Sequence, residues 1–156
     1  MNYEHATFEQ LMEQVKTVFM EQIPFNKYLG MQIESLHLEG SRIRIEMREE
    51  LIGNFMQGTL HGGVISSVLD VMGGLTAFLS LLKKLDKEPS QKQLARLAKF
   101  GTIDLRVDYL RPGRGKYFIA TGTVLRTGNK VAVTRMELHN DQQLLIAVGT
   151  GTYAVV

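Results

Sequence analysis

From Val64 to Leu82 the chain runs 19 residues with one charged side chain, Asp70. A run that long and apolar leaves two solutions, a membrane or the middle of a folded domain. A carboxylate near the centre of a span costs about 2.5–3.5 kcal/mol on insertion scales, and Gly73-Gly74 follows it. The rest of the chain reads as amphipathic strands that need something apolar to cover. The run is therefore read as a buried central helix from about His61 to Leu85, and no membrane span is expected.

The neighbouring elements follow from periodicity. Phe8, Leu11, Met12, Val15, Val18 and Phe19 recur at helical spacing across Thr7–Gln22. Pro24 stops that helix or opens a short second turn, and Gly30 closes it. Met31 and Ile33, then Ile43, Ile45 and Met47, alternate with polar residues around a Glu39-Gly40 turn, a hairpin pattern. "EELIGNFMQGT" reads as a loop. Pro89 breaks the helix, and Leu94, Leu97 and Ala98 suggest a turn or two of helix. Thr102–Arg111 alternates strictly, with Ile103, Leu105, Val107 and Tyr109 on one face. Lys116–Arg126, Lys130–Asn140 and Leu144–Val155 are three more strands, turning at Thr127-Gly128-Asn129 and Asn140-Asp141. Strands joined by short turns form an antiparallel sheet, and its apolar face needs the long helix as cover. The expected class is α+β: a curved antiparallel sheet wrapped around one central helix, with an N-terminal helix. One domain spans 1–156, with 1–23 as a helical extension.

Composition removes several functions. No cysteine is present, which rules out disulfides, thiolate metal sites and cysteine nucleophiles and suits a reducing cytoplasm. The polar, acidic start MNYEHATFEQ is no signal peptide. A net charge of +2 does not mark a nucleic-acid binder, and neither a DNA-binding helix nor a basic arm is visible. His5, His37, His61 and His139 are scattered without metal-ligand spacing, so no metal is expected. There is no GxSxG elbow. "GTGTYA" at 149–154 matches a dinucleotide fingerprint only on paper, because no helix can follow it. Its glycines thin a strand for close packing.

On a helical wheel Gly63, Ser67, Asp70, Gly74 and Ala77 form one stripe. Val64, Val68, Val71, Leu75, Phe78, Leu79 and Leu82 lie opposite and are assigned to the sheet. The small-residue stripe admits a close neighbour, read as a second subunit, with Asp70 in the middle. At this level Asp70 is either a structural aspartate at a dimer seam or a working carboxylate. His61-Gly62-Gly63 opens the helix, where unpaired amides and the helix dipole favour negative charge. It is either a tight turn into the helix or an oxyanion site for acyl transfer. Nine residues at 1.5 Å rise separate His61 from Asp70 by roughly 13 Å. The two cannot meet within one chain, so a shared site needs two subunits.

"GTLHGGVISSVLDVMGG", then "TIDLRVDYLRPGRG" and "GNKVAVTRMEL", resemble the hotdog-fold acyl-CoA thioesterases of the PaaI-like branch, over about residues 24–156. The resemblance implies a hotdog fold, a homodimer or dimer of dimers, and no cofactor beyond the coenzyme A of the substrate. It implies that Asp70 attacks the thioester or activates water. It gives the amide of Gly62, with Gly63 and His61 beside it, the polarising of the thioester carbonyl. A loop asparagine from the other subunit corresponds to Asn54, and Thr102 takes the place of a water-orienting hydroxyl. Asn54 lies one residue further from His61 than the pattern has it, which makes Gln57 a rival. The segment 83–100 is longer than the pattern and either covers the acyl end of the pocket or lengthens the helix. Arg111, Arg114, Arg126 and Lys130, at strand ends and turns, would meet the phosphates of coenzyme A or form a solvated basic rim.

The expected function is hydrolysis of an acyl-CoA thioester in the cytoplasm. A hotdog dehydratase or hydratase ranks below it, because His61 leading straight into Gly-Gly resembles an oxyanion loop more than an acid-base pair. A non-catalytic acyl-CoA-binding protein is the third reading. The acyl group is not specified by these residues.

Overall fold

The computed structural model describes residues 7–156. His5 and the rest of the first six residues lie outside the described part. Helix α1 (Phe8–Thr17) begins at a capping box: the Gln10 amide donates to Thr7 Oγ1, and the Thr7 amide donates to Gln10 Oε1. Leu11, Met12 and Val15 bury its apolar face, while Phe8, counted on that face by periodicity, is exposed. The helix does not continue in α form to Gln22. It passes into a π-helical turn over Val18–Gln22, then breaks at Ile23. Pro24 opens α2 (Pro24–Leu29), and Gly30, in the left-handed region, ends it. The Arg48 guanidinium donates to the last free carbonyls, those of Tyr28 and Leu29.

Strands β1 (Gln32–Ser35) and β2 (Arg42–Glu46) form the expected hairpin. The 49–60 stretch is more ordered than a loop. A 3-10 turn at Glu49–Leu51 leads into a small ribbon of β3 (Ile52–Asn54) and β4 (Thr59–Leu60). The long helix α3 (Gly62–Lys84) follows, then α4 (Ser90–Ala95) and a 3-10 turn at Arg96–Lys99. Strands β5 (Gly101–Tyr109), β6 (Tyr117–Thr127), β7 (Val131–Asn140) and β8 (Leu145–Ala154) complete an antiparallel six-stranded sheet, ordered β1-β2-β6-β7-β8-β5. The sheet wraps α3 as expected, and β5 is left as an edge.

Helix α3 is long and apolar enough to cross a membrane, but the fold uses it as its core. Its contact with the sheet differs from the wheel assignment. The glycines show which residues touch the strands. A Cβ on Gly122 would strike the Thr76 hydroxyl and lie 3.5 Å from Met72, and one on Gly149 would lie 3.5 Å from Leu69. A Cβ on Gly73 would strike the Tyr153 hydroxyl. The sheet face is therefore Leu69, Met72, Gly73 and Thr76, about a third of a turn from the predicted one. On the predicted side, Phe78 meets Phe19 of the N-terminal segment, ring centroids 6.3 Å apart. Periodicity finds apolar faces but does not say which neighbour covers each.

The small-residue stripe is also corrected in part. Gly74 lies under the rings of Tyr153 and Phe100, and Ala77 is buried, so the chain's own side chains fill that half. Only the Gly63, Ser67 and Asp70 portion stays open. In β8, Gly151 lies beneath the Tyr153 ring and Gly149 beside Met136, the close packing expected of "GTGTYA".

This packing has a measurable consequence. Gly122→Val should lower the stability by roughly 1–3 kcal/mol through overpacking, read as the urea midpoint. Gly101→Ala, where a Cβ meets nothing within 4 Å, should leave the midpoint nearly in place. Equal midpoints would contradict the helix-to-sheet contact described.

Candidate active site

Asp70 sits at mid-helix, half-buried, on the open part of the stripe. Thr102 Oγ1 donates to its Oδ1 at 2.9 Å. The Tyr153 hydroxyl lies 3.0 Å from the Asp70 carbonyl and 3.3 Å from Oδ1. Among the described residues no donor reaches Oδ2. The carboxylate is thus held by one oxygen and open at the other.

The route by which Thr102 reaches Asp70 is a β-bulge. Thr102 pairs with Tyr153 and Asp104 with Thr152, leaving Ile103 as an extra residue. In regular alternation Thr102 would share the outer face with Asp104 and Arg106. The extra residue turns it inward, a known use of bulges, and leaves Ile103 exposed. In this chain the Thr102 hydroxyl, expected to orient a water, bonds the carboxylate directly.

Tyr153 was missed from sequence. The available signal is indirect: Gly151 in β8 and Gly73 and Gly74 in α3 make room for one large ring. Burial first, then the adjacent Asp70 carboxylate and its hydrogen bond, push the Tyr153 phenol far above the ordinary range. It therefore stays a proton donor to Asp70.

The helix N-terminus is a second, separate feature. His61 is the N-cap, and its Nδ1 accepts from the Gly63 amide at 2.8 Å. The Gly63 N–H is therefore occupied, whereas the Gly62 N–H has no partner among the described residues. Tyr109, also missed from sequence as a site residue, lies against Gly62 and donates from its hydroxyl to the Gly62 carbonyl at 3.1 Å. Asn54 Oδ1 accepts from the Met56 and Gln57 amides and shapes the exposed ribbon turn. Gln57 Oε1 accepts from Arg114 at 3.1 Å. These groups lie at the Gly62 end, about 12 Å along the helix from Asp70.

The four basic candidates do not form one cluster. Arg114 lies beside Gln57, and Arg111 donates to the Leu145 carbonyl. Both belong to the Gly62 end. Arg126 and Lys130 flank the β6–β7 turn, near the far end of α3, where Lys84 donates to Asn129. The length of β6, about 30 Å, separates the two pairs, so one chain cannot bring all four to one ligand.

Beside Asp70 lies a pocket of about 420 Å³, with Ser67, Thr102 and Tyr153 at its polar end. Its remaining wall is mostly apolar and includes Leu97 and Phe100 from the long 83–100 segment. That segment does not lengthen α3, which ends at Lys84.

The phenol gives a test with a definite sign. A folded-state proton held above the unfolded value of about 10 contributes stability that is full below that pH and is lost as pH rises past it. In an ultraviolet titration, wild type minus Tyr153→Phe should show no phenolate until alkaline unfolding. A tyrosinate appearing near pH 10 with the fold intact would contradict the hydrogen bonds described.

Known proteins bear on this geometry. Residues 57–147 match the thioesterase superfamily. The medium/long-chain acyl-CoA thioesterase YigI of Escherichia coli K12 is 48% identical over 149 residues, 96% of either chain. A Shewanella oneidensis protein related to the thioesterase superfamily superposes with a TM-score of 0.91 at 50% identity, over 95% of this chain and 97% of that one. The E. coli PaaI protein, at 18% identity, has the same fold, with a TM-score of 0.74 over 96% of both chains. The chain has the hotdog fold and belongs to the thioesterase superfamily.

Proposed function

We propose that this protein hydrolyses medium- and long-chain acyl-CoA thioesters, with Asp70 as the reacting carboxylate. The observation that carries the reading is the state of Asp70. One oxygen is held by two hydroxyl donors, the other has no donor among the described residues, and the residue borders a largely apolar pocket. The open oxygen is the one that would attack the thioester carbonyl or deprotonate a water. The likeness to YigI supports the substrate class.

The carbonyl oxygen would be received by the Gly62 amide, unpartnered and at the positive end of α3. Within one chain that amide is about 12 Å from Asp70, so the site would be completed by a second copy. Strand β5 supports this assembly. It is a sheet edge with its backbone groups available on one side. Thr102 at its start touches Asp70, and Tyr109 at its end touches Gly62. Antiparallel pairing of β5 with its own copy swaps the ends. The Gly62 end of one subunit then meets Asp70 of the other, bringing Asn54 Nδ2, Gln57, Arg111 and Arg114 with it. Arg111 and Arg114 are thereby the better candidates for the phosphates of coenzyme A. Arg126 and Lys130 stay at the opposite end.

Two variants test this arrangement. Asp70→Asn should reduce thiol release by about 10²-fold or more. Gly62→Pro removes the amide hydrogen at a helix position where proline fits and should reduce kcat by about 10²–10³-fold. Co-expressed, the two variants would form mixed dimers with one intact site. Activity should return to about a quarter of wild type if pairing is random. Wild-type release by Asp70→Asn would overturn the assignment of the carboxylate. No recovery on mixing would overturn the shared site.

A further inference from the structure

One wall of the pocket beside Asp70 comes from the end of the N-terminal extension and the first residues after it. Val18, Phe19, Ile23 and Phe25 line it, opposite Leu97 and Phe100. Among the described residues, no charged side chain other than Asp70 borders it. The local structure explains how a short stretch supplies so many apolar groups to one wall. The π-helical turn at Val18–Gln22 widens the helix where it reaches the pocket, a feature frequent at functional sites. The chain then breaks at Ile23 and turns into α2. Asn26, only 2% exposed, spans the break: its side-chain amide donates to the Phe19 carbonyl at 2.9 Å. That buried bond ties the two arms together.

The wall is stiff on its inner side and open on its outer side. Phe19 packs on Phe78, Phe78 meets Phe100 edge-on at 5.8 Å, and Phe100 stacks on Tyr153 at 5.9 Å. This aromatic series ends at the hydroxyl that holds Asp70. Ile23 is half-buried and Phe25 exposed. A volume of about 420 Å³ is within the range of small-molecule sites. An uncharged, aromatic-lined wall suits an unbranched aliphatic chain and penalises acyl groups that carry a second charge.

We propose that residues 18–26 form the acyl-length wall of the site. The thioester carbon would lie at Asp70, the first methylenes against Phe19 and Phe100, and the more distant ones against Ile23 and Phe25. This inference rests on the thioesterase reading. Each methylene that gains full burial strengthens the complex about fourfold, so kcat/KM should climb with chain length until the wall is filled. Phe25→Ala and Ile23→Ala remove the outer part of the wall.

The experiment compares butyryl-, octanoyl- and dodecanoyl-CoA turnover in wild type, Phe25→Ala, Ile23→Ala and Phe8→Ala. Binding of the matching non-hydrolysable thioethers is measured alongside by calorimetry. Each wall variant should lower the dodecanoyl-to-butyryl ratio about 15-fold in both assays, the loss of roughly two methylene contacts. Phe8→Ala, exposed on α1 and away from this pocket, should keep the wild-type ratio. Wall variants whose ratios match wild type in both assays would overturn the proposal. A wild type that binds the thioethers with length-dependent affinity but releases no thiol would overturn the thioesterase reading, and the wall would be judged by the binding ratios alone.

Discussion

A 23-residue helix with a single acidic side chain must be kept from water on nearly every side, and the rest of this fold follows from that need. The sheet alone cannot do it, because a curved sheet covers one face. The second face is closed by the N-terminal segment through Phe19 on Phe78. Part of the third is closed by Tyr153 and Phe100 over Gly74. Glycines at 73, 122 and 149 let the helix approach the strands closely, and large side chains fill the space they leave. Short of its C-terminal lysines, what remains open on the helix is the stripe from Gly63 through Ser67 to Asp70. The one acidic group of the helix thus lies where its cover stops.

That placement settles the polar chemistry around the carboxylate. A charge buried without partners is costly, and a charge left in free solvent would not be positioned. Asp70 avoids both. Its two donors come from distant parts of the sheet, Thr102 on the edge strand and Tyr153 on its neighbour. Both strands are needed, and the bulge at Ile103 is needed as well, because it turns Thr102 toward the helix. The mid-helix aspartate, the bulged edge strand and the tyrosine between glycines are three parts of one arrangement.

Much of this was legible in the sequence. Asp70 stood out because a lone carboxylate in an apolar run demands a reason. The hairpins, the central helix and the break at Pro24 followed from period and turn chemistry. The errors had physical causes. The wheel locates two stripes on α3, but which element covers which stripe depends on sheet curvature, and that is not local. The ribbon at 52–60 reads as loop in the sequence because strands of three and two residues carry no alternation. Tyr153 and Tyr109 were passed over because their partners lie 83 and 47 residues away. The bulge was hidden by the regular pattern of Thr102–Arg111, which is intact as a sequence even where the ladder skips a residue.

The histidine that opens α3 shows how local and non-local constraints combine. A helix start leaves its first amides without partners. In this chain His61 satisfies one of them, that of Gly63, through its own ring. Tyr109 bonds the Gly62 carbonyl from the far end of β5. The result is one amide without a partner among the described residues, that of Gly62, held from both sides and aimed away from its own carboxylate. A rigid helix keeps that amide and Asp70 at a fixed spacing of about 12 Å. Neither side-chain motion nor loop closure can bring them together within one chain. On the proposed reading, the strand that anchors both ends is the one that can pair with its copy, so the spacing that prevents a site in one subunit is what aligns two sites in a pair.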